Sequence, residues 1–148
     1  MFNDIVIGPI TIHMYGVMIA LASGALMSIQ GVFNTDVTKQ TSLWVSAAFV
    51  QFTALLVCLV AWLLYDRTSF QSLWEIQDKY VLLGGAIGAL ITATVIRSMN
   101  ALGPAKAAML IVIAQLAVAW MIELLGVFGV EKQEFSMRKL LGLLIAVA

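Results

Sequence analysis

The chain has 148 residues, of which 62% are hydrophobic and 11% charged, and its net charge at neutral pH is zero. Soluble globular domains are about 45–50% apolar and about 25% charged, so this composition excludes a typical water-soluble domain and favours a lipid bilayer as the solvent. The scattered basic residues exclude a nucleic-acid partner, which would require clustered Lys and Arg. The single cysteine, Cys58, excludes an internal disulfide. No residue pattern indicates a metal site or a cofactor, and we expect neither.

The first predicted span comes from an uncharged stretch over residues 5–35. A helix needs about 20 mostly apolar residues to cross roughly 30 Å of hydrocarbon, so this stretch can cross a membrane. Gly8 and Pro9 interrupt its start, which places the span near residues 11–33. No basic residue precedes Lys39, and the stretch exceeds the about 7–15 apolar residues of a signal peptide. We therefore do not expect a cleaved signal.

The second predicted span covers residues 43–65, which are uncharged and rich in Leu, Val and Ala. Each Leu, Ile or Val near the centre of such a helix favours insertion by about 0.3–0.6 kcal/mol. Residues 66–79 then form the longest polar connection, with Tyr65, Trp74 and Tyr80 in or beside it. Amphipathic aromatic side chains prefer the headgroup level, so we expect an interfacial loop with one helical turn.

The remaining predicted spans follow closely on one another. The third covers residues 80–102 and the fourth covers residues 104–128. Gly103 and Pro104 between them predict a tight turn, since proline disfavours helix at the preceding residue and suits the first turn of a new helix. Residues 135–148 include an apolar segment that is too short to cross, so the fifth helix is short or truncated.

The predicted fold class is therefore all-α. We expect a polytopic bundle of about five transmembrane helices that forms one domain over residues 17–148, preceded by a leader segment of uncertain origin over residues 1–16. A five-helix unit crosses the membrane an odd number of times, and many transporters consist of two such units in inverted orientation around a site near the bilayer midplane. The unit is thus expected to be half of an inverted-repeat transporter.

Basic residues predict the orientation of the helices, because cytoplasmic loops carry an excess of Lys and Arg. The side that holds the N-terminus carries Arg67, Lys79, Lys132, Arg138 and Lys139. The opposite side carries Lys39, Arg97 and Lys106. This weak bias favours an N-terminus inside the cell, and it is also typical of a chain that inserts in both orientations. Simple insertion with a poor orientation signal is the alternative.

Small residues recur at helical spacing in two spans. In the first span they are Gly16, Ala20, Gly24 and Ser28, and in the third they are Gly84 and Gly88. Residues four apart lie on one face of a helix. Because lipid removes the hydrophobic drive between helices, close packing at small residues takes its place. We expect these faces to be helix contacts, although such spacing is common in membrane helices.

Five residues are candidates for the lining of a substrate cavity. They are Gln30, Asn34, Gln51, Gln115 and Trp120. Polar side chains in hydrocarbon are costly, so they face the interior of the bundle or a water-filled cavity. Amides could bind a polar solute, and the indole could hold an apolar or cationic part. The alternative is that the amides only join helices, at about 0.6 kcal/mol for each hydrogen bond.

Arg97 and Glu123 are charged residues inside predicted spans. Within one chain they are expected at different depths. In an antiparallel pair of chains, Arg97 of one copy comes within about 8 Å of the depth of Glu123 in the other, at about 1.5 Å of rise per residue. We consider an ion pair between subunits, with extension of both side chains to the headgroups as the alternative.

From about Ala20 onward the sequence resembles the drug/metabolite transporter superfamily, in particular its short branch with one EamA-like five-helix unit. The matching segments are IQGVFN at 29–34, GGAIG at 84–88, LGPA at 102–105, IAQL at 113–116, IELLGVFG at 122–129 and RKLLG at 138–142. The resemblance implies export or exchange of a solute by a dimer.

In the related small multidrug exporters a glutamate of the first helix exchanges protons for drug. Here Gln30 stands at the comparable place and cannot titrate, so proton antiport by that route is not expected.

The N-terminal segment resembles a different family. Residues 7–16, IGPITIHMYG, resemble the N-terminus of prolipoprotein diacylglyceryl transferase. The later His-Gly-Gly and Arg/Asn-rich segments of that enzyme are missing here, and His13 is the single histidine. We expect a leader segment and no enzymatic activity.

The predicted protein is a multi-pass transporter of the bacterial inner membrane that moves a small solute. Its expected partners are the lipid bilayer, the solute, and a second copy or a related chain of opposite orientation, so that an antiparallel dimer forms. Two alternatives are a non-transporting helper subunit of a membrane complex and a remnant of a lipid-transferring membrane enzyme.

Overall fold

A computed structural model describes residues 9–132, 134 and 136–147. These residues form helices and connections, with no β-strand among them. The α-helices are α1 Pro9–Gln40, α2 Leu43–Ala61, α3 Gly84–Leu102, α4 Pro104–Leu125 and α5 Met137–Val147. A π-helical turn, Trp62–Asp66, extends α2, and two 3₁₀ helices, Phe70–Glu75 and Lys79–Leu83, lead into α3. The predicted all-α fold is confirmed.

Four helical segments in the described part of the chain are long and apolar enough to cross a membrane. They are His13–Gln40, Leu43–Asp66, Lys79–Leu102 and Pro104–Leu125. The fifth helix, α5, has 11 residues. At about 1.5 Å per residue it is roughly half the length that the hydrocarbon core requires. The chain is therefore a polytopic helical membrane protein.

The first helix extends well past Phe33, where the sequence predicted its end. It has 32 residues, or about 48 Å at the usual rise, which exceeds a hydrocarbon core of roughly 30 Å. Asp36 and Lys39 lie in this extension, and neither residue breaks a helix. The helix stops only where Ser42 becomes the N-cap of α2 and its side chain accepts a hydrogen bond from the Val45 amide. The end of an apolar run is thus not the end of its helix.

The fourth helix ends before Phe128, the predicted boundary. Gly126 adopts φ +62°, and its amide donates to the Ile122 carbonyl oxygen at 2.9 Å. This left-handed conformation is a common way to end a helix. A Cβ atom at position 126 would lie 2.8 Å from Cβ of Lys132, so the chain turns back closely over the glycine.

The connection between α3 and α4 is the single residue Gly103, with Pro104 at the start of α4. Gly103 has φ +82° and ψ 158°, a backbone conformation that is essentially confined to glycine. The tight turn expected at these two residues is therefore present in the structure.

The chain divides into two compact units, Met1–Asn100 and Ala101–Ala148. The first unit holds α1, α2 and most of α3, and its buried side chains are Ala47, Ala93, Ile96 and Met99 together with Asn34, Thr35 and Ser46. The second unit holds α4 and α5. The predicted leader, residues 1–16, falls partly outside the described residues, and residues 9–16 belong to α1.

Candidate functional site

Ser46 joins α2 to α1 inside the first unit. Its side chain is completely buried, and its hydroxyl donates to the backbone oxygen of Asn34 at 3.0 Å. The Thr38 hydroxyl donates to the same oxygen at 2.8 Å. Two donors thus share the backbone oxygen of Asn34 and fix the position of this residue. The sequence analysis did not single out Ser46, whose only signal is a small polar residue near the start of an apolar helix.

The side chain of Asn34 is the most informative polar group of the first unit. The residue is 8% exposed, yet its amide takes part in none of the side-chain hydrogen bonds found in the described part of the chain. An amide that makes no hydrogen bond to its own chain keeps both its donor and its acceptor for a bound polar molecule. Asn34 is therefore the strongest candidate for a binding residue.

Gln51 is half-buried on α2 and reaches toward α3. A Cβ atom on Gly88 would lie 3.7 Å from Nε2 of Gln51, so the glycine leaves room beside the amide. The Thr92 hydroxyl donates to the backbone oxygen of Gly88 at 3.0 Å, one turn along α3. Gly88 was predicted as a helix contact, and here it lies where α3 meets a predicted cavity residue.

Gln30 and Gln51 lie at similar depth. Helices α1 and α2 are joined by a very short connection, which makes them antiparallel neighbours. Counted from the contact between Asn34 and Ser46, Gln51 lies about 7.5 Å along α2 and Gln30 about 6 Å back along α1. Gln30 is exposed within the single chain, whereas Asn34 is buried. The helix pairing therefore places three of the five predicted cavity residues at similar depth, and their grouping around one cavity stays a prediction.

Helices α1 and α3 approach each other at Gly31. A Cβ atom on Gly31 would lie 2.5 Å from Cε and 2.7 Å from Sδ of Met99, and 3.4 Å from Cγ1 of Val95. The Met99 side chain thus fills the space that the glycine leaves. The sequence analysis did not name Gly31 as a packing residue. At 3.6 residues per turn, however, it falls on the same face as the small residues of the first span, and this is the signal that could have found it.

The first half of α1 is uncovered within the chain. All residues from His13 to Gln30 are exposed, and Cβ atoms on Gly16 or Gly24 would meet no atom within 4 Å. Gly84 of α3 likewise has nothing within 4 Å. The described structure gives these three glycines no partner helix, and their role in packing stays a prediction.

The other predicted site residues lie on α4 or late in α3. Gln115 is exposed, whereas Trp120 and Glu123 are half-buried and lie three residues apart on neighbouring positions of α4. Arg97 is exposed on α3. These α4 residues belong to the second unit. Their grouping with Gln30, Asn34 and Gln51, and the pairing of Arg97 with Glu123, stay predictions.

No group of His, Cys, Asp and Glu in the described part of the chain is arranged to hold a metal ion. The polar groups that the helix pairing brings together, from Asn34 and Gln51 to Ser46 and Thr92, are uncharged amides and hydroxyls. Such groups can donate and accept hydrogen bonds with a polar solute.

Comparison with known proteins gives one match. Residues 15–148 match a protein family described as "Putative inner membrane exporter, YdcZ". No curated protein and no solved structure matches the chain. The family match and the four apolar helices agree on a multi-pass protein of the inner membrane.

Proposed function

From the premise that this chain belongs to the YdcZ family, we propose that it exports a small, uncharged polar solute across the inner membrane as one half of an antiparallel dimer. The observation that carries the proposal is Asn34, which is 8% exposed and whose backbone oxygen accepts a hydrogen bond from Ser46, while its amide takes part in none of the side-chain hydrogen bonds of the described residues. An amide that is held in place and makes no bond to its own chain is able to bind a polar solute.

The cavity in this proposal is lined by Gln30, Asn34 and Gln51 of the first unit, together with Gln115 and Trp120 of α4. The contact between α1 and α2 supports the first three, because it places these residues at levels within about two helical turns of each other along the helix axes. Amides at fixed spacing select solutes with matching donors and acceptors. The exposed Gln30 amide of one chain is then covered by the other chain of the dimer.

The neutral lining of the proposed cavity determines whether transport is coupled to protons. Gln30 occupies the place of the glutamate in the small multidrug exporters that the sequence resembles, and neither Asn34 nor Gln51 can titrate. Transport through this cavity therefore does not require a proton to leave the site as the solute enters. We expect the flux to be unchanged across the neutral pH range.

The antiparallel dimer is proposed from the resemblance to the EamA-like unit and from the charge distribution. Two such units of opposite orientation form the inverted pair typical of transporters. The weak bias of basic residues allows both orientations. The partner is a second copy or a related chain. In the pair, Arg97 of one chain lies near the membrane depth of Glu123 in the other.

Flux into proteoliposomes tests the proposal. The purified chain is reconstituted and exposed to a panel of radiolabelled neutral solutes (a hexose, a polyol and a primary amide) and to one organic cation. We expect flux of a neutral solute that is lost in Asn34→Ala and Gln51→Ala and kept in Thr94→Ala, since the Thr94 hydroxyl bonds only to its own helix backbone. Equal flux in all variants would remove the amides from the site. Absence of flux together with stable copurification of another membrane protein would favour the helper-subunit alternative.

A further inference from the structure

The segment that links the second and third spans has a defined fold. It covers Arg67–Asp78 and is called the connector below. Its neighbours on both sides, Leu43–Asp66 and Lys79–Leu102, are membrane spans. Because both spans end at the same surface, the connector lies at the level where hydrocarbon gives way to headgroups.

The start of the connector folds back on the end of the second span. The Trp62 and Phe70 rings pack with their centroids 4.8 Å apart, and Nε1 of Trp62 donates to the Thr68 backbone oxygen at 2.8 Å. Arg67 adopts φ +57°, and its amide donates to the Trp62 oxygen at 2.9 Å. These contacts hold the first turn of the connector in a fixed position relative to the helix end.

The 3₁₀ helix Phe70–Glu75 has an apolar edge and a polar edge. In a 3₁₀ helix residues three apart lie above one another, so Phe70 and Leu73 share one edge and Ser72 and Glu75 share another. Trp74 shares the third edge with Gln71 and has 75% of its surface exposed. Phe70 is still 53% exposed despite its contact with Trp62, and Leu73 is 45% exposed. The three apolar side chains are thus exposed beside the ends of two membrane spans.

The charges in and beside the connector indicate which class of lipid it can bind. Asp66, Glu75 and Asp78 are acidic, whereas Arg67 and Lys79 are basic, and all five side chains are exposed. Recognition of anionic headgroups requires clusters of about 4–8 Lys or Arg. Here acidic residues outnumber basic ones, so aromatic insertion and not charge attraction is the available mode of binding.

We propose that the connector is an interfacial anchor, in which Phe70, Leu73 and Trp74 dock into the headgroup–acyl boundary of the bilayer and bind zwitterionic phospholipid without preference for anionic lipid. Aromatic and aliphatic side chains favour this boundary, and the polar edge of Ser72 and Glu75 stays in water. The Trp62–Phe70 contact transmits the docking to the second span and sets its position along the membrane normal. An anchor of this kind suits either leaflet, and the use of both leaflets rests on the antiparallel dimer proposed above. The docking itself does not depend on that dimer.

Site-directed spin labelling tests the anchor. The single Cys58 is replaced by alanine, and single cysteines are introduced in the full chain as Leu73→Cys and Trp74→Cys, with Ser72→Cys and Glu75→Cys as controls from the polar edge. Nitroxide collision with oxygen, which concentrates in lipid, is compared with collision with a water-soluble nickel chelate. Samples are reconstituted in phosphatidylcholine vesicles with and without phosphatidylglycerol.

We expect oxygen collisions to dominate at positions 73 and 74 and nickel collisions to dominate at 72 and 75, with the same pattern in both lipid mixtures. Nickel access at all four positions would overturn the docking. Protection of 73 and 74 from both reagents would show burial against protein and would also overturn it. A switch toward oxygen that occurs only with phosphatidylglycerol would contradict the lipid assignment. None of these outcomes depends on whether the chain transports a solute.

Discussion

Asn34 is a largely buried residue whose backbone and side chain differ in their hydrogen bonding. Its backbone oxygen is fixed by the hydroxyls of Ser46 and Thr38 at 3.0 and 2.8 Å, whereas its amide has no such bond in the described residues. A residue selected for stability would satisfy its amide or replace it with an apolar side chain, since proteins commonly lose stability at positions that serve function. The two interpretations of the intramembrane amides, cavity lining and helix joining, therefore make opposite predictions at this position.

Asn34→Leu should abolish transport while the protein stays at least as stable as the wild type. The amide takes part in none of the side-chain hydrogen bonds of the described residues, so leucine breaks no such bond and buries apolar surface in its place. Thermal unfolding in detergent and flux in proteoliposomes, measured on the same preparations, provide the check. Loss of stability in proportion to loss of flux, with the same effect in Asn34→Ala, would indicate that the amide joins helices.

Gly31 and Met99 show how α1 packs on α3. The methionine end group lies where a Cβ atom of residue 31 would stand, at 2.5 Å, and both Met99 and its neighbour Ile96 are buried. Small residues allow such close approach between helices in lipid, where packing provides the attraction. The contact between Met99 of α3 and α1 depends on the absence of a side chain at Gly31.

Gly31→Val should destabilise the first unit by about 1–3 kcal/mol, the typical cost of overpacking a core. Gly85→Val is the matched control, because a Cβ atom on Gly85 would meet nothing within 4 Å. The double variant Gly31→Val with Met99→Ala should recover much of the loss, since the methionine side chain is what the valine displaces. Thermal unfolding of the four proteins measures the effect. A similar loss in the Gly31 and Gly85 variants, with no recovery, would mean that helix propensity and not contact is responsible.

The helices themselves were largely predictable from the sequence, because apolar length decides whether a segment crosses the bilayer. The turn at Gly103-Pro104 and the short last helix followed from local residue preferences. The continuation of α1 to Gln40 was not predictable from hydropathy, since a helix can leave the membrane without breaking. The candidate site was harder to predict from the sequence. Composition identified Asn34 and Gln51 as polar residues in apolar spans, but only the contact between Asn34 and Ser46 sets their relative depth. That contact depends on tertiary packing, which no periodicity encodes.

The orientation of the whole chain determines how two copies can combine. The bias of basic residues toward the side of the N-terminus is weak, and the short connections between helices carry few of them. Orientation of this kind responds to small changes in the Lys and Arg balance of short loops. An antiparallel dimer of identical chains requires both orientations, whereas a dimer with a related chain requires one orientation from each.

Reporter tags at the C-terminus should be found on both faces of the inner membrane if the dimer is formed by one chain. Addition of basic residues to the Arg67–Asp78 connector should shift the population toward the orientation in which this connector is cytoplasmic. Activity of a periplasm-dependent and a cytoplasm-dependent reporter measures the ratio. A tag confined to one face in cells that produce only this chain contradicts the homodimer, and coexpression of a related chain then tests the heterodimer.

Water access at position 34 tests most directly whether the buried amide lines a transport cavity. The cysteine-free Cys58→Ala chain receives Asn34→Cys, and Phe52→Cys, an exposed apolar position of α2, is the lipid-facing control. Thiol reagents that cannot cross the membrane react only with cysteines that water reaches. We predict labelling at 34 and no labelling at 52. An unreactive cysteine at 34 in correctly inserted protein, in every condition of the assay, would contradict the cavity and with it the proposed function.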